Sequence, residues 1–320
     1  MKHFDATTTA AALPYALLVD ALREMFKSGC DVPSRHVHTI ADANGQLAGT
    51  VLVMPAWRPG RYLGLKVVNV FPANAQRALP ALHATYTLFD ANTGVPLAQM
   101  DGMEITTRRT VAASALAASY LARADARRLL IVGAGRVAGE IAPAMQAVRP
   151  TLVQVQVWSR SAAGAEALAA KLRGAGIDAS AAADLEAAAR AADVISSATL
   201  STTALLHGAW LRPGAHVDLI GGFTPAMRES DGACFARASV FVDTEEALAK
   251  AGDVLQAIDE GAFSRHCLQA TLTQLCRGEH PGRGSAADIT LFKSVGSALE
   301  DLAAAELVLG APVQAGSAAV

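Results

Sequence analysis

Aromatic and charged residues are both scarce in this sequence of 320 residues. Phe, Trp and Tyr make up 5% of the chain and charged residues 18%, whereas hydrophobic residues make up 52%. The net charge of −2 gives no electrostatic basis for binding nucleic acid or an anionic membrane surface. The hydrophobic fraction is too high for an intrinsically disordered chain. The length fits two domains better than one.

Cysteine is scarce as well, and its spacing argues against a disulfide framework or a redox pair. The four cysteines form no Cys-x-x-Cys motif: Cys30, Cys234, Cys267 and Cys276. The eight histidines show no metal-ligand spacing, so no metal site is predicted. The N-terminal residues lack a signal-peptide pattern, and the longest uncharged stretch, 194–211, is rich in polar residues. We therefore expect a cytoplasmic protein with no membrane partner.

The first third of the chain combines a helical pattern with several strand patterns. Apolar residues at helical spacing predict a helix over 14–28. Between about 45 and 103, short strand-like runs are separated by turns that contain Gly or Asn. This pattern predicts an antiparallel sheet. An alanine-rich helix, predicted over 110–124, would then lead into a second domain.

From residue 129 onward, short apolar strands alternate with helical or loop segments. The predicted strands are 129–132, 153–158, 193–198, 216–220 and 240–243. Such alternation is typical of a doubly wound parallel sheet. The predicted fold class is therefore α/β, with a Rossmann-type parallel sheet and an α+β domain that contains the antiparallel sheet. A last helix, over about 294–309, is expected to pack back on the first domain.

A glycine-rich turn follows the first strand of the second domain. Gly133-Ala134-Gly135-Arg136-Val137-Ala138 matches the pattern G-x-G-x-x-A between a strand and a helix. Gly133 permits the tight turn, and Gly135 lets the backbone approach a pyrophosphate. Arg136 and Val137 open the helix, whose N-terminal amides would face the phosphates. The sequence therefore predicts a dinucleotide site here.

The end of the next strand indicates which dinucleotide is bound. A site for NAD usually places an acidic residue there, but 153–165 contains none. Ser159, Arg160 and Ser161 instead offer hydrogen-bond donors and a positive charge to a 2′-phosphate. Alternatively, Arg160 is only solvated and Ser161 is a helix N-cap. NADP(H) is predicted over NAD(H).

Several motifs together resemble the ornithine cyclodeaminase/mu-crystallin family. In chain order they are Met54-Pro55, 64–68, Thr93-Gly94, 107–112, 133–135, Pro213-Gly214, Gly221-Gly222 and 289–296. The resemblance implies a homodimer whose substrate domains pair their sheets. It also implies a discontinuous first domain for substrate binding and dimerisation, 1–115 completed by about 295–320. The dinucleotide-binding domain would then span 116–294.

The resemblance carries over to particular residues. Arg35, Lys66 and Arg109 match the family's substrate-binding positions. An Arg fork and a nearby ammonium suit the carboxylate of an amino or imino acid, and Lys66 and Arg109 are also the expected catalytic residues. Without the resemblance, Lys66 would be interpreted as an edge-strand lysine, Arg109 as a solvated arginine at a helix start, and Arg35 as a surface charge in a loop. Thr199 and Ser294 resemble residues beside the cofactor; alone they would be a turn residue and a helix cap.

Three positions depart from the pattern of a true cyclodeaminase. Phe223 stands where the family enzyme has a catalytic Asp, Leu52 where it has a Glu, and Ala81 where it has a Thr. Deprotonating a cationic amine needs a general base, and Phe223 cannot act as one. The predicted reaction is therefore the reduction of a cyclic imino acid, Δ1-pyrroline-2-carboxylate or Δ1-piperideine-2-carboxylate, to L-proline or L-pipecolate.

Three other functions remain open at this point. The first is ornithine cyclodeaminase activity, which converts L-ornithine to L-proline and ammonia. The second is an amino-acid dehydrogenase that uses an open-chain oxo acid. The third is a non-catalytic, NADPH-dependent ligand-binding protein like mu-crystallin, because Lys66 and Arg109 would bind a carboxylate in either case.

Overall fold

The computed structural model describes residues 1–311, except for the side chain of Ala75. These residues form two compact units. The first comprises 1–21, 28–109 and the described residues from 298 onward, and the second comprises 22–27 and 110–297. Residues 312–320, which we expected to help complete the first domain, lie outside the described residues.

Strands and helices within residues 1–311 have the following bounds. The strands are β1 (Lys2–Phe4), β2 (His36–Ala41), β3 (Leu47–Arg58), β4 (Tyr62–Val70), β5 (Leu82–Asp90), β6 (Pro96–Asp101), β7 (Arg128–Val132), β8 (Gln154–Trp158), β9 (Ala179–Ala181), β10 (Val194–Ser197), β11 (His216–Leu219), β12 (Ser239–Val242), β13 (Leu268–Thr271) and β14 (Thr290–Lys293). The α-helices are α1 (Ala6–Ala11), α2 (Tyr15–Ser28), α3 (Gly102–Leu121), α4 (Ala138–Val148), α5 (Ala162–Gly174), α6 (Leu185–Ala191), α7 (Gly232–Arg237), α8 (Ala247–Lys250), α9 (Gly252–Asp259), α10 (Leu272–Arg277) and α11 (Ala298–Gly310). Short 3-10 helices span Pro72–Arg77, Gly208–Trp210 and Arg265–Cys267.

Strands β1 to β6 form a mixed sheet in the first unit, in the order β1-β6-β5-β4-β3-β2. The pairs from β2 to β6 are antiparallel, which confirms the predicted antiparallel sheet. Strand β1 pairs in parallel with β6, and neither β1 nor β2 was predicted. Both are hard to recognise, because β1 has only three residues and β2 is exposed along its whole length.

One face of this sheet is buried and carries a row of residues that lie opposite one another. Met54 on β3 pairs with Lys66 on β4, Lys66 pairs with Tyr86 on β5, and Tyr86 pairs with Met100 on β6. Paired residues in an antiparallel sheet point to the same face. All four side chains are buried, and α11 packs against β3 and β4. A lysine therefore lies in the interior of the unit, in a row of large side chains.

Strands β7 to β14 form a parallel sheet in the second unit, in the order β13-β12-β14-β11-β10-β7-β8-β9. Strands β10, β11 and β14 are buried at every residue, which requires cover on both faces. The Rossmann-type parallel sheet is thus confirmed. However, β14 lies between β11 and β12 and was not predicted as a strand.

Two predicted helices differ from the structure at their N-termini. Helix α3 begins at Gly102 rather than 110, because Asp101 caps it. Its Oδ1 accepts hydrogen bonds from Met103 N (2.9 Å) and Glu104 N (2.8 Å). Arg109 therefore lies inside a helix and not at a helix start. Helix α11 begins at Ala298 rather than 294, because Gly296 adopts a φ of +76°, which a right-handed helix does not contain.

No helix within residues 1–311 combines the length and the apolar character that a membrane crossing requires.

Candidate functional site

The glycine-rich turn lies at the carboxyl edge of the parallel sheet. Gly133 follows β7, adopts a φ of +118°, and donates its N–H to Trp158 O at 2.8 Å. A Cβ atom at this position would lie 2.6 Å from Ala198 O and 3.4 Å from the Thr199 methyl group. Only glycine fits a turn that approaches residues 198 and 199 so closely.

The other side of the turn is open. Gly135 is exposed, and a Cβ atom built on it would meet nothing within 4 Å. Arg136 is exposed next to it, Val137 is the N-cap residue, and α4 begins at Ala138. The open space at Gly135, directly before the N-terminus of this helix of 11 residues, fits the phosphates of a dinucleotide.

The segment after β8 is a tight loop. The Ser161 hydroxyl caps α5 by accepting from Gly164 N at 3.1 Å, and the Ser159 hydroxyl donates to Ser161 O at 2.7 Å. Arg160 lies between them and is exposed. Ser161 is therefore a helix cap, and binding of a 2′-phosphate by these three residues stays a prediction.

Thr199 and Ser294 also lie at the carboxyl edge of the sheet. Thr199 follows β10, and its N–H and hydroxyl both donate to Glu229 Oε1, at 2.7 and 2.9 Å. Ser294 follows β14, is buried, and donates its N–H to Leu219 O at 3.3 Å. In open parallel sheets this edge is where nucleotides bind. The structure therefore brings both residues to the same edge as Gly133.

A buried charged cluster lies beneath the same edge. Asp253 accepts hydrogen bonds from Glu229 N (2.8 Å) and Ser230 N (2.9 Å), and its Oδ2 lies 3.2 Å from Lys293 Nζ. Lys293 Nζ also donates to Gly221 O. We did not predict this cluster. Lys293 lies within the motif 289–296, but no spacing in the sequence links it to Asp253 or Glu229.

In the first unit, Lys66 is a buried cation with a carboxylate partner. Its Nζ lies 2.6 Å from Asp301 Oδ2 and donates to Thr106 Oγ1 at 3.4 Å. Lys66 occupies a central strand and only 1% of its surface is exposed, so its interpretation as an edge-strand lysine is wrong. A buried ammonium needs such a partner because the desolvation cost is high.

Arg109 reaches the same carboxylate from α3. Its Nη1 lies 2.6 Å from Glu300 Oε2, and its Nε lies 3.0 Å from Asp301 Oδ1. Asp301 thus bridges Lys66 and Arg109, and all four side chains are buried. The structure brings the two predicted catalytic residues together and balances their charges. Neither Glu300 nor Asp301 was predicted.

Burial changes the acidity of Lys66. Loss of solvent is the main cause that lowers its pKa from the usual 10.5 to about 8; Arg109 lowers it further and Asp301 opposes the shift. Lys66 is therefore mostly charged at neutral pH, but its pKa is close enough to neutrality for it to donate and accept a proton there.

Tyr86 is a further polar side chain in this interior. It pairs with Lys66 across the strands, and its ring lies over Gly64, where a Cβ atom would be 2.7 Å from Tyr86 Cζ. Its hydroxyl has no hydrogen-bond partner among residues 1–311. Burial, followed by the Asp301 charge, raises its pKa well above the usual value. The hydroxyl therefore keeps its proton and remains a hydrogen-bond donor.

Arg35 and Phe223 complete the predicted positions. Arg35 is half-buried and directly precedes His36, which pairs with Val53, so it lies two strands away from Lys66. Phe223 follows Gly222 beyond β11, and 46% of its surface is exposed. Position 223 thus carries an apolar side chain and not a carboxylate.

Among the residues that the structure describes, no three His, Cys, Asp or Glu side chains are grouped so that they could hold a metal ion.

Comparison with known proteins identifies relatives along almost the whole chain. The model of the ornithine cyclodeaminase/mu-crystallin family matches residues 8–314. A Delta(1)-pyrroline-2-carboxylate reductase of Paracoccus denitrificans is 40% identical over 309 residues, which cover 96% of this chain and 95% of the relative.

Solved structures show the same architecture. Delta(1)-pyrroline-2-carboxylate reductase from Thermococcus litoralis, in complex with NADH and L-proline, superposes with a TM-score of 0.89 at 29% identity, over 97% of this chain and 96% of the other. An archaeal alanine dehydrogenase dimer with bound NAD superposes with a TM-score of 0.85 at 27% identity, over 97% and 95%. The family resemblance is confirmed: this chain belongs to the ornithine cyclodeaminase/mu-crystallin family.

Proposed function

We propose that this protein is an NAD(P)H-dependent oxidoreductase that reduces a cyclic imino acid, Δ1-pyrroline-2-carboxylate or Δ1-piperideine-2-carboxylate, to L-proline or L-pipecolate. The observation that carries the proposal is the buried pair Lys66 and Arg109, bridged by Asp301. Phe223 and the pyrroline-2-carboxylate reductases of Paracoccus denitrificans and Thermococcus litoralis support the same reaction.

The substrate carboxylate is bound by Lys66 and Arg109, with Arg35 as a third cation. An ammonium has three N–H donors, and the described residues take two of those on Lys66, through Asp301 and Thr106. The third is available to a substrate. Because Glu300 and Asp301 already balance both cations, the site favours a ligand with no net charge, such as an iminium carboxylate.

The reaction adds a hydride to the C=N carbon and leaves a secondary amine. The nicotinamide, when bound, supplies the hydride. Lys66 supplies a proton to the imine nitrogen where the substrate arrives unprotonated, since its pKa of about 8 keeps it charged yet able to donate. The Tyr86 hydroxyl keeps its proton and, without a partner among residues 1–311, remains a donor on the strand next to Lys66.

The cofactor is NADP(H) in preference to NAD(H). The residues that hold the dinucleotide are Gly133, Gly135, Arg136, Val137, Ser159, Arg160, Ser161, Thr199 and Ser294. Open space at Gly135 and the start of α4 supports the phosphate position. The exposed Arg160, in a segment without carboxylates, supports the preference for a 2′-phosphate.

The active form is a homodimer. Strand β2 is the edge of its sheet and is exposed throughout, and the apolar side chains of Val37, Ile40 and Leu47 are exposed on β2 and at the start of β3. An exposed edge with apolar side chains is normally covered by another chain. The dimeric alanine dehydrogenase supports a second copy of this chain as that partner. A cytoplasmic location, expected from the sequence, completes the proposal.

The deciding experiment measures NADPH and NADH oxidation with the five- and six-membered imines from pH 6 to 8. L-ornithine with NAD serves as the alternative substrate. We expect turnover of at least one imine and about a 100-fold loss of kcat/KM in Lys66→Met, from the lost charged hydrogen bond. The matched control is Lys27→Met, which removes an exposed lysine paired with Glu24.

Each other outcome has a defined meaning. Ammonia release from ornithine would identify a cyclodeaminase instead. Tight imine binding without oxidation of NADPH would identify a ligand-binding protein. Turnover of open-chain oxo acids with ammonia, and of neither imine, would identify an amino-acid dehydrogenase.

A further inference from the structure

The ends of two strands meet at the side chain of Glu229, and the end of a third lies against Thr199. Strand β10 lies between β7 and β11, and Gly133, Thr199 and Gly221 follow β7, β10 and β11. The Thr199 methyl group lies 3.4 Å from the Cβ position of Gly133. A Cβ atom on Gly221 would lie 2.6 Å from the Glu229 carboxyl carbon and would also collide with Thr199 O. Glu229 therefore lies directly behind the turns that the dinucleotide would contact.

The two oxygens of this carboxylate have different surroundings. Oε1 accepts three hydrogen bonds, from Ser197 Oγ (2.6 Å), Thr199 N (2.7 Å) and Thr199 Oγ1 (2.9 Å). Oε2 is buried and has no hydrogen-bond partner within residues 1–311. A proton on Oε2 would therefore break none of the hydrogen bonds, but it would weaken all three by removing the negative charge from their acceptor.

Charged groups on two neighbouring elements act on Glu229 in opposite directions. Lys293 on β14 favours the ionised form and Asp253 on α9 opposes it, while Ser197 and Thr199 favour it by hydrogen bonding. Burial has the largest effect, and together these contributions raise the pKa of Glu229 from the usual 4.5 to about 7. Its protonation state therefore changes across the physiological pH range.

We propose that Glu229 is a positioning residue for the dinucleotide, because in its ionised form it holds Thr199 against the glycine-rich turn more firmly than in its protonated form. This inference rests on the proposed function only in requiring that a nicotinamide dinucleotide binds at this edge. Affinity for the dinucleotide then rises with pH. The expected gain is about fivefold between pH 6 and 8, the typical difference between charged and neutral hydrogen bonds.

The test measures the dissociation constant of NADH by its fluorescence from pH 5.5 to 8.5. NADH is the suitable probe because it lacks the 2′-phosphate of NADPH, which itself titrates near pH 6. We expect a step in affinity with its midpoint near pH 7 in the wild type, and no step in Glu229→Gln. A step that persists unchanged in Glu229→Gln overturns the proposal.

Asp218→Asn is the matched control. Asp218 is also buried in the parallel sheet, burial raises its pKa to about 6, and it accepts a hydrogen bond from Ser196 Oγ at 2.5 Å. It does not contact Thr199 among the hydrogen bonds of the described residues. We expect this variant to keep the step, and loss of the step would mean that Asp218 is responsible.

Thr199→Val provides a second test that does not alter a buried charge. It removes the hydroxyl that donates to Glu229 Oε1, and because a donor to a carboxylate favours the ionised form, the midpoint should move to higher pH. An unmoved midpoint contradicts the proposal. If the imines are turned over but the NADH affinity does not change with pH, this inference alone is refuted. If the affinity shows the step near pH 7 but no imine is turned over, only the proposed reaction is refuted.

Discussion

The carboxylate of Asp301 lies 2.6 Å from the ammonium of Lys66, and both side chains are almost completely buried. The pair joins β4 to α11 in the interior of the first unit. Two charges removed from water in this way stabilise a fold only as a pair, because either charge alone carries an uncompensated desolvation cost. The same contact fixes the direction in which the Lys66 ammonium points.

Replacing Asp301 with Asn should destabilise the protein in a pH-dependent way. At pH 6 Lys66 is charged and would lose its counter-ion, so we expect the free energy of unfolding to fall by about 3 kcal/mol. At pH 9, above the pKa of about 8, Lys66 is mostly neutral and the loss should be smaller. Urea unfolding at the two pH values measures the difference. The control is Glu186→Gln, which breaks a half-exposed pair with Arg190 and should cost less than about 1 kcal/mol at either pH.

The pH dependence of imine reduction should follow the ionisation of Lys66. In the proposed reaction the charged form holds the carboxylate and donates the proton, so kcat/KM should be level below about pH 7 and fall as pH rises through about 8. An ordinary lysine would delay this fall until about pH 10. In Lys66→Arg, the residue stays charged throughout, so the activity that remains should not fall between pH 7 and 9. An equal fall in this variant would assign it to another group or to the substrate.

Arg160→Ala should change the choice of cofactor. Removing one charged hydrogen-bonding group should raise the dissociation constant of NADPH about 10- to 100-fold and leave that of NADH nearly unchanged. Fluorescence titration with each nucleotide measures both constants. Arg190→Ala, which removes another exposed arginine from the second unit, should change neither. Equal losses for both nucleotides in Arg160→Ala would contradict a 2′-phosphate site.

Gly64→Ala should reveal the close approach of Tyr86. The new methyl group would lie within 2.7 Å of Tyr86 Cζ and closer still to the hydroxyl, so we expect a loss of about 1 to 3 kcal/mol in the free energy of unfolding. In a Tyr86→Phe background the hydroxyl is gone and the same substitution should cost less. A double-mutant cycle from urea unfolding measures the coupling. Independent, additive effects would show that the two residues do not interact.

Much of the second unit could be predicted because its strands are short apolar runs that end in glycine or polar residues. The turn at Gly133 can be recognised from its glycine-rich sequence, and it lies as expected at the end of β7. Strand β14 is different. Its four residues begin with Thr and end with Lys, and a charged residue is not expected in a central buried strand. Lys293 can be buried there because it contacts Asp253 and Gly221, and these contacts are visible only in the structure.

The carboxylates of both buried clusters could not be predicted either, because their sequence context is typical of exposed residues. Glu300 and Asp301 lie in the first turn of α11, where acidic residues normally complement the helix dipole at the surface. Only the tertiary fold shows that they face Lys66 and Arg109. Glu229 lies in a loop with Ser230 and Asp231, a composition typical of exposed chain. Its burial follows from Gly221, which leaves room for the carboxylate.

The position of β14 has a consequence for synthesis of the chain on the ribosome. Strands β11 and β12 emerge well before β14, yet β14 must lie between them, so the two early strands cannot pair with each other in the finished sheet. Until residue 293 has emerged, the growing polypeptide exposes two unsatisfied strand edges in the middle of its future core. Such edges attract other chains, so this is the interval in which a nascent-chain chaperone would protect the protein most.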